Sequence, residues 1–82
     1  MASTPDPPPH VVLYHAQGCH LCDRARDVLA RVGVPFESVD ITGRPELEAR
    51  YREWLPVVEI DGARAFVYYV DESALRRKVS QT

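Results

Sequence analysis

Apolar and polar residues follow one another with two rhythms along this chain. His10 to His15 (HVVLYH) is a short apolar, β-branched run, the pattern of a buried first strand ended by the loop Ala16-Gln17-Gly18. From Cys19 onward the rhythm changes. Leu21, Ala25, Val28, Leu29 and Val32 recur at helical spacing, while Asp23, Arg24, Arg26, Asp27 and Arg31 take the other faces. Gly33 is a natural stop for that helix. Phe36 to Ile41 (FESVDI) alternates apolar with polar and predicts a second strand with one better-buried face.

The second half repeats the alternation of helix and strand signals. Thr42-Gly43-Arg44-Pro45 breaks the chain and offers proline an early helical position. Leu47, Tyr51 and Trp54 then form a stripe, with Glu46–Arg50 and Glu48–Arg52 as favourable pairs four apart, in a helix ending before Pro56. Val57 to Ile60, the turn Asp61-Gly62 and Ala63 to Val70 read as an antiparallel hairpin, because Asp-Gly suits the positive φ angles of a two-residue turn. Tyr68 and Tyr69 fall on opposite sides of that last strand, which predicts one buried and one exposed. Tyr51 and Phe66 are core candidates, and His10 and His15 are structural. Asp71 caps a last helix, Glu72 to Val79, whose acidic start and Arg76-Arg77-Lys78 end both suit the helix dipole. The string is βαβαββα, an α/β fold in one domain over residues 10–79. Prolines 5, 7, 8 and 9 make the first nine residues a loose lead-in, and Ser80 to Thr82 fray.

Composition narrows the function classes. At 82 residues, 45% hydrophobic and 27% charged, the chain has the make-up of a small globular domain with a packed core. A formal charge of −2 with interspersed signs provides no field for a phosphate backbone, so a nucleic-acid partner is not expected. No run approaches the roughly 20 apolar residues of a membrane span, and Met1 to Pro9 lacks the apolar stretch of a secretory signal, so the expected location is the cytoplasm and no membrane partner is foreseen.

Only two cysteines are present, and they stand three apart in Gly18-Cys19-His20-Leu21-Cys22. A structural staple is disfavoured, because cytoplasmic thiols are kept reduced and so short a loop removes little chain entropy. Redox exchange and metal binding remain. Cys19 sits where a strand end meets a helix start, and the unpaired N–H groups and dipole there favour an anionic sulfur. Its thiol is expected to ionise more readily than a free one. Cys22, a turn further in, is expected to be buried beside Leu21 and more protonated. Cys19 is thus the candidate nucleophile and Cys22 the resolving thiol. A partly protonated His20 would favour the thiolate further.

A C-x-x-C after a first strand in a βαβ setting, with a later Leu55-Pro56 opening the hairpin strand Val57-Val58-Glu59-Ile60-Asp61-Gly62, resembles the glutaredoxins and the wider thioredoxin-like superfamily. Tyr14 fits the tyrosine of the glutaredoxin Y-S-x-x-x-C-x-x-C run, and the nearest kin are similar to short bacterial glutaredoxin-like proteins with GCHLC. The resemblance implies a four-stranded mixed sheet flanked by three helices, a thiol-disulfide oxidoreductase active through Cys19 and Cys22, and a cis Pro56 lying against the thiols. It assigns the substrate groove to Tyr14, Gln17, Trp54, Leu55, Pro56 and Asp71. For Trp54, core packing is the competing reading. The resemblance also implies that no metal and no organic cofactor is bound. Electrons come from a thiol donor, either glutathione or thioredoxin reductase, and the partner of the monomer is a disulfide-containing protein or a small-molecule disulfide.

Three departures qualify that reading. Ala16 stands where glutaredoxins have lysine, Cys19-His20-Leu21-Cys22 replaces C-P-Y-C, and Tyr68-Tyr69 occupies the place of a diglycine near bound glutathione. Bulky tyrosines crowd the backbone approach that glycine permits. Two rivals stand beside the redox reading: a Cu(I) or Zn(II) carrier using the two thiols, and an inactive thioredoxin-like interaction module.

Overall fold

In the computed structural model, which describes residues 9–80, β1 (Val11–His15) is followed by α1 (His20–Val32), β2 (Phe36–Asp40), α2 (Pro45–Tyr51), β3 (Val57–Ile60), β4 (Ala63–Val67) and α3 (Glu72–Ser80). This is the expected order. The expected lead-in over residues 1–8 and the fraying of 81–82 lie outside the described residues, while Ser80 closes α3.

The strands form one mixed sheet in the order β2-β1-β3-β4. β1 runs parallel to β2, with Val11 opposite Phe36 and His15 opposite Asp40. It runs antiparallel to β3, with Val11 opposite Ile60 and Tyr14 opposite Val57. A parallel pair needs a crossover, and α1 supplies it. The two faces of the sheet bury different sets. Val11, Leu13 and Val58 pack with Ala25 and Leu29 of α1 and Leu75 of α3. On the opposite face Val57 packs with Ile41 and with Tyr51 of α2, and Tyr14 and Val67 join them. Alternation along β1 and β3 therefore fixes which helix covers which face.

Local signals in the sequence account for the ends of the elements. Gly33 caps α1, its N–H donating to the carbonyls of Leu29 and Ala30 at 3.1 Å each. Asp61 (φ 53°) and Gly62 (φ 82°) make the hairpin turn in the left-handed region, as Asp-Gly predicts. Asp71 caps α3, its Oδ1 accepting from the N–H groups of Ser73 and Ala74 at 2.9 and 3.3 Å. Arg52 Nη1 donates to Glu48 Oε1 at 2.6 Å. Glu46 and Arg50 do not pair; the Arg50 guanidinium lies 5.5 Å from the Tyr51 ring centroid instead.

Four expectations are corrected. β4 stops at Val67 rather than Val70, because Tyr68 turns into the left-handed region (φ 66°) and takes the chain off the ladder. The strand alternation therefore lapses, and Tyr68 and Tyr69 are both exposed, by 47% and 73%. Leu21, placed on the apolar stripe of α1, is 47% exposed, since Cys22 and Ala25 take the inward positions. Trp54 does not continue the buried stripe of Leu47 and Tyr51: α2 tightens into one 3₁₀ turn, Arg52–Trp54, which swings the indole outward.

Two stability predictions follow from this packing. Leu29 is fully buried between the sheet and α3, so Leu29→Ala is expected to cost about 2–5 kcal/mol, read as a lower urea midpoint. Tyr51 donates its hydroxyl to Glu59 Oε2 at 2.9 Å, and burial, then the Tyr14 and Glu59 contacts, push its pKa up. The folded state thus holds that proton more tightly than the unfolded chain. The resulting stability is complete below the ordinary tyrosine pKa of about 10 and declines as pH rises past it. Urea midpoints across alkaline pH should fall more steeply for the parent than for Tyr51→Phe.

Candidate active site

β1 delivers the chain to the thiols through a loop tied down at both sides. The His15 carbonyl accepts from Ile41 N–H at 2.9 Å, and Gln17 N–H donates to Thr42 Oγ1 at 3.1 Å. Gly18 then takes φ 75°, a left-handed conformation that L side chains rarely adopt, and turns the chain toward α1. Cys19 enters as the N-cap with extended backbone (φ −97°, ψ 103°).

At that cap the sulfur does what a serine or aspartate oxygen does elsewhere. Cys22 N–H donates to Cys19 Sγ at 3.1 Å, and Asp23 N–H donates to the Cys19 carbonyl at 3.2 Å. Cys19 and Cys22 are joined as a disulfide across a Cα separation of 5.2 Å, within the usual range for such bonds. The two sulfurs differ in access. Cys22 is 1% exposed and Cys19 is half-buried.

The second wall of the site comes from the β3 end. The Leu55-Pro56 peptide is cis and Pro56 is fully buried. Because Tyr14 pairs with Val57, Pro56 lies at the same sheet end as the turn into Cys19. Tyr68 holds that segment, its N–H donating to the Pro56 carbonyl and its hydroxyl to the Glu53 carbonyl, both at 2.9 Å. Trp54 leans against Tyr68 with ring centroids 6.0 Å apart. Between α1 and the Tyr68-Tyr69 segment lies a cavity of about 100 Å³, lined by Leu21, Arg24, Val28, Tyr68 and Tyr69 above Ala25 and Val70.

The expected groove residues divide. Leu55, Pro56 and Trp54 gather at the thiol end of the sheet, and Gln17 is exposed in the loop leading to Cys19. Tyr14 stacks on Tyr51, ring centroids 4.0 Å apart, in the same cluster that Leu55 packs against. Asp71 is engaged in capping α3. His20 is exposed and makes no hydrogen bond to either cysteine. His15 at the end of β1 has its pKa lowered, chiefly by burial and then by the Arg26 guanidinium, against the pull of Asp40 and Asp23. Among the described residues no three His, Cys, Asp or Glu side chains converge, so metal binding would rest on the two thiols alone.

Leu21, Arg24 and Tyr69 line the cavity but were not among the groove residues read from the sequence. The one signal for them was the tyrosine pair standing in the place of a diglycine. Arg24 and Leu21 were hidden because a helical pattern assigns a side chain to a face without saying what the next loop will do.

Comparison with known proteins agrees with this architecture. The family model described as "Glutaredoxin-like domain (DUF836)" matches residues 10–80. An uncharacterized protein of Mycobacterium tuberculosis is 32% identical over 83 residues, covering 90% of this chain and 86% of its own length. A crystal structure of a protein from X. campestris superposes with a TM-score of 0.74 at 33% identity, covering 83% of this chain and 92% of that one. Glutaredoxin 1 from Francisella tularensis, at 17% identity, shares the fold with a TM-score of 0.61, over 85% of this chain and 96% of that one. With its four-stranded mixed sheet, three helices and a C-x-x-C pair at the start of α1, the chain belongs to the glutaredoxin-like domain (DUF836) family and has the thioredoxin-like fold.

Proposed function

We propose that this protein is a thiol-disulfide oxidoreductase in which Cys19 attacks and Cys22 resolves. One observation carries the reading: Cys19 Sγ is the N-cap of α1 and accepts the Cys22 N–H at 3.1 Å, while Cys22 itself is buried. A charge-assisted N–H bond and the positive helix end both favour thiolate over thiol at Cys19. Burial without such a partner favours the neutral thiol at Cys22. The two cysteines thereby acquire different roles from one local geometry.

The exchange runs in two displacements. Cys19 thiolate attacks one sulfur of a substrate disulfide, forming a mixed disulfide and expelling the other sulfur as a thiolate. Cys22, losing its proton to solvent, attacks Cys19 Sγ and releases the second substrate thiol. The pair is left as the Cys19–Cys22 disulfide, oxidised by two electrons as the substrate is reduced by two. A thiol donor, glutathione or a thioredoxin reductase, returns those electrons, and no bound organic cofactor enters the cycle. Such a reductant belongs in the reducing compartment of the cytoplasm.

Cys19→Ser is expected to abolish reduction of insulin or of a small disulfide, and Cys22→Ser to accumulate a covalent adduct visible by mass spectrometry. Full turnover by Cys19→Ser would reverse the assignment. The alkylation rate of the reduced protein should rise with pH to a midpoint below that of a free cysteine, as for other thiols at helix starts; a midpoint equal to a free cysteine's would remove the basis for the asymmetry. NADPH oxidation coupled separately through glutathione reductase and through thioredoxin reductase identifies the donor.

A further inference from the structure

Four large hydrophobic side chains stand out from the described surface, Leu21, Trp54, Tyr68 and Tyr69, each exposed by 41% to 73%. Single exposed apolar residues need no explanation, but these are contiguous. Leu21, which lies between the two cysteines, shares the cavity of about 100 Å³ with both tyrosines, and Trp54 rests on Tyr68. The cavity is the size that receives one side chain rather than a folded partner.

Cations flank it. Arg24 lines the cavity and the Arg64 guanidinium lies 5.8 Å from the Trp54 ring centroid. Neither joins an ion pair among the described residues, whereas Asp23 pairs with Arg26, Glu72 with Arg31 and Arg76, and Asp71 is taken up by its cap. Asp27, which borders a neighbouring cavity with Arg24, makes no ion pair with it. Two copies meeting through this patch would bring like charges together, so self-association is disfavoured. Glutathione has no apolar side chain to fill the cavity.

Resting on the exchange reading above, we propose that this patch seats the peptide flanking a partner protein's disulfide, selecting a large apolar side chain beside the reacting cysteine and a carboxylate within reach of Arg24 or Arg64. The apolar contact holds the segment while its sulfur meets Cys19, and the guanidinium fixes its direction. Substrate choice is thereby made by side chains that take no part in the sulfur chemistry.

Two synthetic peptides test this. Each carries one cysteine as a mixed disulfide with thionitrobenzoate; one has phenylalanine before and glutamate after that cysteine, the other serine and lysine. Attack by reduced Cys19 on the peptide sulfur releases thionitrobenzoate, followed by absorbance, and Cys22 then releases the peptide thiol. Rates are divided by those with dithiothreitol to remove intrinsic reactivity. The phenylalanine-glutamate peptide is expected to react about tenfold faster, the range for burying one aromatic side chain. Its cysteine-to-serine analogue should change the fluorescence of Trp54, the chain's single tryptophan. Tyr69→Ser and Arg24→Glu should each bring the rate ratio toward one. Equal rates with both peptides overturn the patch and leave the exchange reading standing, while reaction with neither overturns both. A glutathione mixed disulfide that outpaces both peptides, or a dimer in sedimentation that buries Trp54, also overturns the patch.

Discussion

A single hydrogen bond, from the Cys22 amide to the Cys19 sulfur, joins the start of α1 to the C-x-x-C pair. A helix start leaves backbone N–H groups without partners, and something must accept from them. Here the acceptor is the Cys19 sulfur itself. The same contact completes α1 and sets Cys22 buried one turn inside the protein while Cys19 stays half-buried. Gly18, whose φ of 75° turns the chain into that position, and the Gln17-to-Thr42 bond, which ties the approach to the next loop, serve that one contact.

The sheet supplies the rest of the setting by alternation. Along β1, Val11 and Leu13 face α1 and α3, while Tyr14 faces α2, so both cores are built from one five-residue strand. Pairing β1 parallel to β2 and antiparallel to β3 brings the turn into α1 and the Leu55-Pro56 segment to one end. The contacts there are not symmetric in character. Toward α1 the surface is apolar, with Leu21 and the two tyrosines exposed; on the α2 side Tyr14 is withdrawn into a stack on Tyr51 and the Tyr51 hydroxyl is used up on Glu59. Tyr14 thus serves packing, while Tyr68 and Tyr69 form part of the open surface.

On the proposed reading, reaction and specificity are separable. In the proposed exchange, attack and resolution need only the cap, the buried second thiol and access to the first. Under that proposal, which disulfide arrives is a matter of the surrounding surface, and apolar area next to cations that join no ion pair among the described residues suits a peptide with its own side chains better than a small hydrophilic thiol. Tyr68, at φ 66°, and Tyr69 project their side chains into that surface.

The order of strands and helices, the caps at Gly33 and Asp71, the Asp61-Gly62 turn and the position of Cys19 at a helix start were all legible in the sequence. Each depends on neighbours within a few residues, where periodicity and backbone preference act directly. The exposure of Leu21 and Trp54, the early end of β4 and the withdrawal of Tyr14 were not. They were decided by how the elements end and pack: α2 tightens into a 3₁₀ turn at Trp54, the chain leaves the ladder after the Tyr68–Pro56 bond where Tyr68 turns left-handed, and Tyr51 offers Tyr14 a ring to stack on. Local chemistry thus determined the cysteine pair at the helix start, and tertiary contacts decided the surface around it, since a pattern along the chain carries no record of the partner that will face it.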